Sequence, residues 1–270
     1  MFLRPIALTL CLALAAPAAA QDAADRLLDL VGMPRMIEVM QEEGLDYGAD
    51  LAADMLPGGT SGGWSSTVAR IYDRSLMEQT VRQGFDAEIG DTDLAPLVAF
   101  FDSAEGRRIV ELEVSARRAM MEDSVEDAAR ADYLQRVGEG DDRLALVERF
   151  VDANDLIEAN VVGALNSNYS FYRGLVQGGA LEMSEAEMLD DVWSQEDETR
   201  GDTREWLYGF LLLAYGPLED AALEAYVALS MTPEGRAMNR ALFAGFDRMY
   251  AEISYALGLA VAREMQSEEL

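Results

Sequence analysis

Histidine and lysine are absent from this chain, and its one cysteine is Cys11. Without histidine there is no Ser-His-Asp triad, no imidazole general base and no His-ligated metal. Without lysine there is no Schiff-base amine and no phosphate-loop lysine. A lone cysteine close to the N-terminus offers no disulfide and no thiolate cluster for zinc or iron–sulfur. All 21 basic residues are arginine, set against 50 Asp plus Glu, and the formal net charge is −29. That excess repels nucleic acid and anionic membrane surfaces. What remains for chemistry is carboxylates, arginine, hydroxyls and amides. No cofactor and no metal site is expected.

Residues 1–20 read as a secretory signal peptide. Arg4 supplies the positive start, Ile6 to Ala16 is an apolar stretch, and Ala18-Ala19-Ala20 offers small residues for cleavage before Gln21. The apolar stretch is broken by Pro17 and falls short of the roughly 20 residues a membrane span needs. Cys11 follows Leu8-Thr9-Leu10 rather than small residues, which argues against a lipidated cysteine. The mature protein is therefore expected in the bacterial periplasm or outside the cell, with no transmembrane span. Half of the residues are apolar, which argues for a folded core despite the charge.

The pattern is helical nearly throughout. Leu27, Leu28, Leu30, Val31, Met36, Ile37 and Met40 recur at spacings of three and four, and Val68, Ile71, Tyr72, Leu76, Val81 and Phe85 form a second stripe. Ala, Leu, Glu, Met and Arg dominate, and all are good helix formers. The fold class expected is all-α. Gly and Pro mark the breaks at 57–63, 138–142, 178–179 and 216–217. Ile253 to Ala262 is the longest late apolar run, and it reads as the buried face of a helix.

The sequence also repeats itself. Leu94 to Met120 laid over Leu223 to Met249, an offset of 129, is identical at Leu94, Val98, Ala99, Glu105, Gly106, Arg107 and Met120. The same offset places Trp64 on Trp193, and Met36-Ile37-Glu38 resembles Leu156-Ile157-Glu158 at an offset of 120. Two homologous helical halves follow, residues 22–137 and 141–266. The shared motif reads as a helix start. Ser103 and Thr232 are cap residues, Pro233 sits at the first helical position, and Glu105 and Glu234 face the positive end of the helix dipole. Gly106 and Gly235 permit close backbone approach, and Arg107 and Arg236 are placed to pair with carboxylates.

At Phe101-Asp102-Ser103-Ala104-Glu105-Gly106-Arg107 the chain resembles a family of bacterial periplasmic helical proteins known as domain of unknown function 2059. The family signature is an aromatic residue, any residue, Ser or Thr, two residues, Gly, then Lys or Arg. The second copy, Ser230 to Arg236, lacks the aromatic residue. The resemblance covers about 30 residues in each half. It implies location and an all-helical fold, and carries no activity with it.

Candidate chemistry is sparse. Asp91 and Asp93, Asp141 and Asp142, and Glu196-Asp197-Glu198 are paired carboxylates of the kind a hydrolase needs, but they sit at polar breaks where solvated caps are ordinary. A full calcium loop is absent. Two aromatic clusters stand out, around Tyr169 and Tyr172 and around Trp206 and Phe210. They are candidates for a groove between helices, although packing in the core of the second half is the favoured account of them. The function expected is non-catalytic: a helical envelope protein that binds a peptide, protein or lipid in a groove where two halves meet. The alternative is a carboxylate-dependent periplasmic hydrolase.

Overall fold

A computed structural model describes residues 15–56, 59–60 and 62–268, with side chains from Gln21 to Gln266. Among these residues all regular structure is helical. In order come α1 (Ala15–Leu30), α2 (Met33–Met55), α3 (Trp64–Ile71), α4 (Arg74–Ile89), α5 (Ala95–Phe101), α6 (Ala104–Ala119) and α7 (Asp123–Val137). Then follow α8 (Asp142–Asn154), α9 (Leu156–Gly178), α10 (Glu185–Ser194), α11 (Glu196–Tyr215), α12 (Asp220–Ser230) and α13 (Pro233–Glu268). No described helix is long and apolar enough to cross a membrane. Arg4, most of the apolar stretch and Cys11 lie outside the described residues, and the backbone of α1 runs from Ala15 through the expected cleavage point to Leu30.

Local chemistry sets the boundaries. Asp73 and Asp141 cap α4 and α8 by accepting from the backbone N–H of Leu76 at 2.9 Å and Leu144 at 2.8 Å. Ser184 and Glu187 form a reciprocal capping box at α10. The α1–α2 and α8–α9 junctions each turn on one left-handed residue, Gly32 at φ 75° and Asp155 at φ 52°. The repeated motif starts α6 and α13 in the same way. Gly106 N–H donates to Ser103 Oγ and Gly235 N–H to Thr232 Oγ1, both at 3.0 Å. Each hydroxyl in turn donates to a carbonyl of the preceding helix, Ser103 to Phe100 at 2.6 Å and Thr232 to Leu229 at 2.7 Å. A methyl group on Gly106 would lie 2.2 Å from the Phe100 carbonyl oxygen, and one on Gly235 2.1 Å from that of Leu229, so both positions require glycine. Glu105 and Glu234 fall in the first turns. Arg107 pairs with Asp102 at 2.5 Å, whereas Met231 stands at the corresponding place beside Arg236.

The 129-residue register does not extend to the tryptophans. Trp64 opens α3, is buried, and donates its indole N–H to Gly48 O at 2.9 Å. Trp193 lies near the end of α10 and is 56% exposed.

Among the described residues the main core runs from Leu27 and Ile37 through Phe85 and Ile109 to Leu223 and Val261, and Val161, Leu165 and Val192 form a small separate cluster between α9 and α10. Its axis is α13, which packs lengthwise on α9 and α4. Buried Ile253, Leu257, Ala260, Val261 and Ala262 form the apolar face expected there. The crossings are backbone on backbone. A Cβ on Gly84 would lie 2.6 Å from Gly245 Cα, and one on Gly258 would lie 2.2 Å from Phe171 O and 3.1 Å from Gly174 Cα. Glycine at those places lets the helix axes approach closely. Gly258→Ala should therefore lower the unfolding free energy by at least about 2 kcal/mol in urea titration, as overpacking does. Gly201→Ala, where nothing lies within 4 Å of the added methyl, should raise it by up to about 1 kcal/mol. Equal effects at the two sites would show that the α9–α13 crossing is not a constraint.

Candidate functional site

The long helices α2, α9 and α13 leave a cleft of about 530 Å³ between them, closed along one side by α11. Its apolar walls are Met40 of α2, Phe171 of α9, Leu207 of α11, and Phe243, Phe246 and Leu257 of α13. The α9 side is built from Asn160, Gly163, Ala164, Ser167, Asn168 and Phe171. These recur every three or four residues, so they share one helix face. Small and polar side chains on that face make room that larger ones would fill.

A chain of charge runs along one wall. Arg117 of α6 makes two hydrogen bonds to Glu43 of α2, at 2.8 and 2.5 Å. Its guanidinium lies 4.7 Å from the centre of the Trp206 ring, a cation–π distance. The Trp206 indole N–H donates to Glu126 at 3.2 Å, Glu126 accepts from Arg130 at 2.8 Å, and Arg130 reaches Asp202 at 2.8 Å. Burial opposes the charge on Arg117, but Tyr250 and Glu43 outweigh it and hold its pKa above the ordinary value. Each charge on this wall has an opposite partner.

Asp247 of α13 differs. It lines the same cleft, and its Oδ1 lies 2.7 Å from where a Cβ on Gly163 would be. Among the described residues it has neither an ion pair nor a hydrogen bond. Burial alone pushes its carboxyl up to about 6. The Tyr250 hydroxyl, one turn further on, is also without a hydrogen bond, and burial raises its pKa too.

Of the four aromatic residues singled out in the sequence, Trp206 lines the cleft. Phe210 stacks on Trp206 from behind, with ring centres 5.4 Å apart. Tyr169 and Tyr172 lie outside the lining and tie α9 to α10, donating to Glu185 at 3.1 Å and Asp191 at 2.7 Å. The motif residues Ser103, Glu105, Gly106, Arg107, Thr232, Glu234, Gly235 and Arg236 also stand away from the lining. Among the paired carboxylates, Asp93 accepts from Ala95 N–H, Asp141 caps α8 and Glu196 pairs with Arg200 at 2.8 Å. The Asp141 carboxyl is held below its ordinary pKa, chiefly by the Leu144 amide. Sequence periodicity passed over Asp247, Tyr250 and the Arg117–Glu43 pair. A signal was present, since Asp247 interrupts the aromatic run Phe243, Phe246, Tyr250 on one helix face.

A second shifted carboxyl sits apart from the cleft. Burial pushes Glu113 up to about 7 from an ordinary 4.5, against hydrogen bonds from Tyr215, at 2.6 Å, and Tyr226. Both tyrosines belong to an aromatic cluster with Phe150. Comparison of the chain with family models, curated proteins and solved structures gives no match.

The Glu113 shift has a definite sign. The folded protein keeps the proton up to about pH 7, while the unfolded chain releases it near 4.5. The stabilisation is full below 4.5 and is lost as pH rises through 7. On the scale of 1.36 kcal/mol per unit, Glu113 should contribute on the order of 2–3 kcal/mol to the fall in stability between about pH 5 and pH 8. Glu113→Gln keeps the shape and removes the titration, so its urea midpoint should be flatter over that range. An unchanged slope would mean that Glu113 ionises as it does in water.

Proposed function

We propose that this chain is a non-catalytic binding protein of the bacterial envelope or extracellular space, and that it takes the apolar part of its ligand into the cleft between α2, α9 and α13. The observation that carries this reading is the cleft itself. Its volume of about 530 Å³ falls within the roughly 300–1,000 Å³ of small-molecule sites, and its lining is mainly apolar with a few fixed polar groups. The carboxylates there do not pair as a hydrolase requires. Glu43 is committed to Arg117 and Asp202 to Arg130, which leaves Asp247 without a second acid. The N-terminal leader pattern supports the location.

The two-half organisation is part of the proposal. The motif starts α6 and α13 with the same hydrogen bonds, and α2 and α9 are both 23 residues long and both follow a left-handed residue. The packing is reciprocal: α5 lies on α1 as α12 lies on α8, and α4 lies on α13 as α11 lies on α6. On this reading the fourth helix of each half packs on the motif-started helix of the other, α4 on α13 and α11 on α6, and the cleft opens where α2 meets its counterpart α9. The similarity at the motif to domain of unknown function 2059 fits the same picture.

The test is titration with N-phenyl-1-naphthylamine, an apolar dye that brightens on leaving water. The wild-type protein should bind it with a roughly micromolar Kd. Gly163→Leu or Ala164→Leu, which fill the cleft from α9, should weaken binding by about tenfold or more. Val162→Leu, on the exposed face of the same helix, should leave it unchanged. Equal dye binding in all four proteins would place the apolar site elsewhere.

A further inference from the structure

Among the described residues Asp247 has no counter-charge, and it lines an aromatic cleft in a protein where arginine pairs are the rule. The other formal charges lining the cleft cancel or are engaged at its edge, Glu43 by Arg117 and Asp202 by Arg130. The uncompensated charge inside is therefore a single negative one. Around it stand Phe243, Phe246 and Tyr250 of its own helix, with Phe171 facing them from α9. Aromatic faces attract cations and bury apolar groups, and a desolvated carboxylate is most stable when it accepts charge-assisted hydrogen bonds. The Tyr250 hydroxyl, which makes no hydrogen bond among the described residues, adds a neutral acceptor one turn away.

We infer that the ligand of the cleft is a lipophilic amine, a protonated primary or secondary ammonium on an apolar body. The ammonium donates to Asp247 and Tyr250, and the apolar body lies along Phe171, Phe246 and Leu257. Gly163 lets the Asp247 carboxylate lie against α9, because a Cβ there would stand 2.7 Å from Asp247 Oδ1. The assignment rests on the cleft being a binding site, and it names the chemistry of what binds. An unpaired, part-buried carboxylate costs the empty protein stability. A neutral side chain at this position should therefore leave the fold at least as stable while removing the preference for cations.

Isothermal calorimetry with decylamine, decanol and decanoate separates the possibilities, because the three share a chain and differ in head group. At about pH 8 both Asp247 and decylamine are in their charged forms. Decylamine should bind about tenfold or more tightly than decanol, and decanoate should bind least. In Asp247→Asn the amine and the alcohol should bind alike, with a melting temperature no lower than wild type. Glu139→Gln, which removes one exposed charge far from the lining, should keep the full preference. The preference should also survive in about 1 M salt, where the screening length of about 3 Å removes the diffuse pull of the net charge. Decanol binding as tightly as decylamine would overturn the amine assignment and leave the cleft as an apolar site. A preference that persists in Asp247→Asn, or vanishes in salt, would assign it to the protein's overall field and overturn the role of Asp247. Failure of all three probes would overturn the cleft as a binding site as well.

Discussion

The structure depends on how closely α13 approaches α4 and α9. At Gly84–Gly245 and at Gly174–Gly258 the nearest atoms are backbone, and at Gly178 the contact is Ala262. Glycines on both sides remove the layer of side chains that normally keeps helix axes 8–10 Å apart. Close contact of that kind is rigid, because any added carbon must move a backbone. One helix therefore fixes the position of an early segment, α4, and a late one, α9, and both contribute to the same main core.

The same constraint shapes the cleft. Helices α9 and α13 touch through backbone at Gly174 and Gly258, but nearer the start of α9, at Gly163, the nearest neighbour is the Asp247 carboxylate. The gap has widened by the length of a side chain. Gly245 and Met249 turn one face of α13 towards the core, while Phe243, Phe246, Asp247 and Tyr250 line the opening. A helix pinned at glycines on one face can hold a polar group on another without losing its position. That explains how a carboxylate without a partner is kept part-buried here.

Much of this fold was legible in the sequence, and the reasons are local. The caps at Ser103 and Thr232, the proline at 233 and the stops at Gly179 and Gly216 act over a few residues, so pattern alone places them. The cleft was not legible in that way. Tyr169 and Tyr172 are dense aromatics in the sequence, yet their face of α9 meets α10, and the face built from Asn160, Gly163, Ser167 and Asn168 lines the cleft. A surface of small and polar residues gives no hydrophobic periodicity to detect. The tryptophan pairing failed for a related reason. Two rare residues at a matching offset suggest equivalence, but one side chain is buried with its indole N–H satisfied and the other is in solvent.

The absence of lysine connects the charge balance to the architecture. Arg82 holds Asp25 and Asp29 of α1, Arg74 holds Glu38 and Glu78, Arg130 holds Glu126 and Asp202, and Arg200 holds Glu158 and Glu196. A guanidinium presents five donors in a planar fork and can serve two carboxylates at once, while an ammonium is a point charge. With 21 cations against 50 acids, such double pairing neutralises more acid per cation and ties neighbouring helices together. Single exposed pairs of this type contribute little, but shared ones form a network around the core. Arg117 extends that network into the cleft by engaging Glu43 on one side and the face of Trp206 on the other. Asp247 is within the same cleft and outside the network, with an aromatic face beside it where an arginine would otherwise stand. A cation brought by a ligand would supply the charge that the protein's own arginines supply elsewhere.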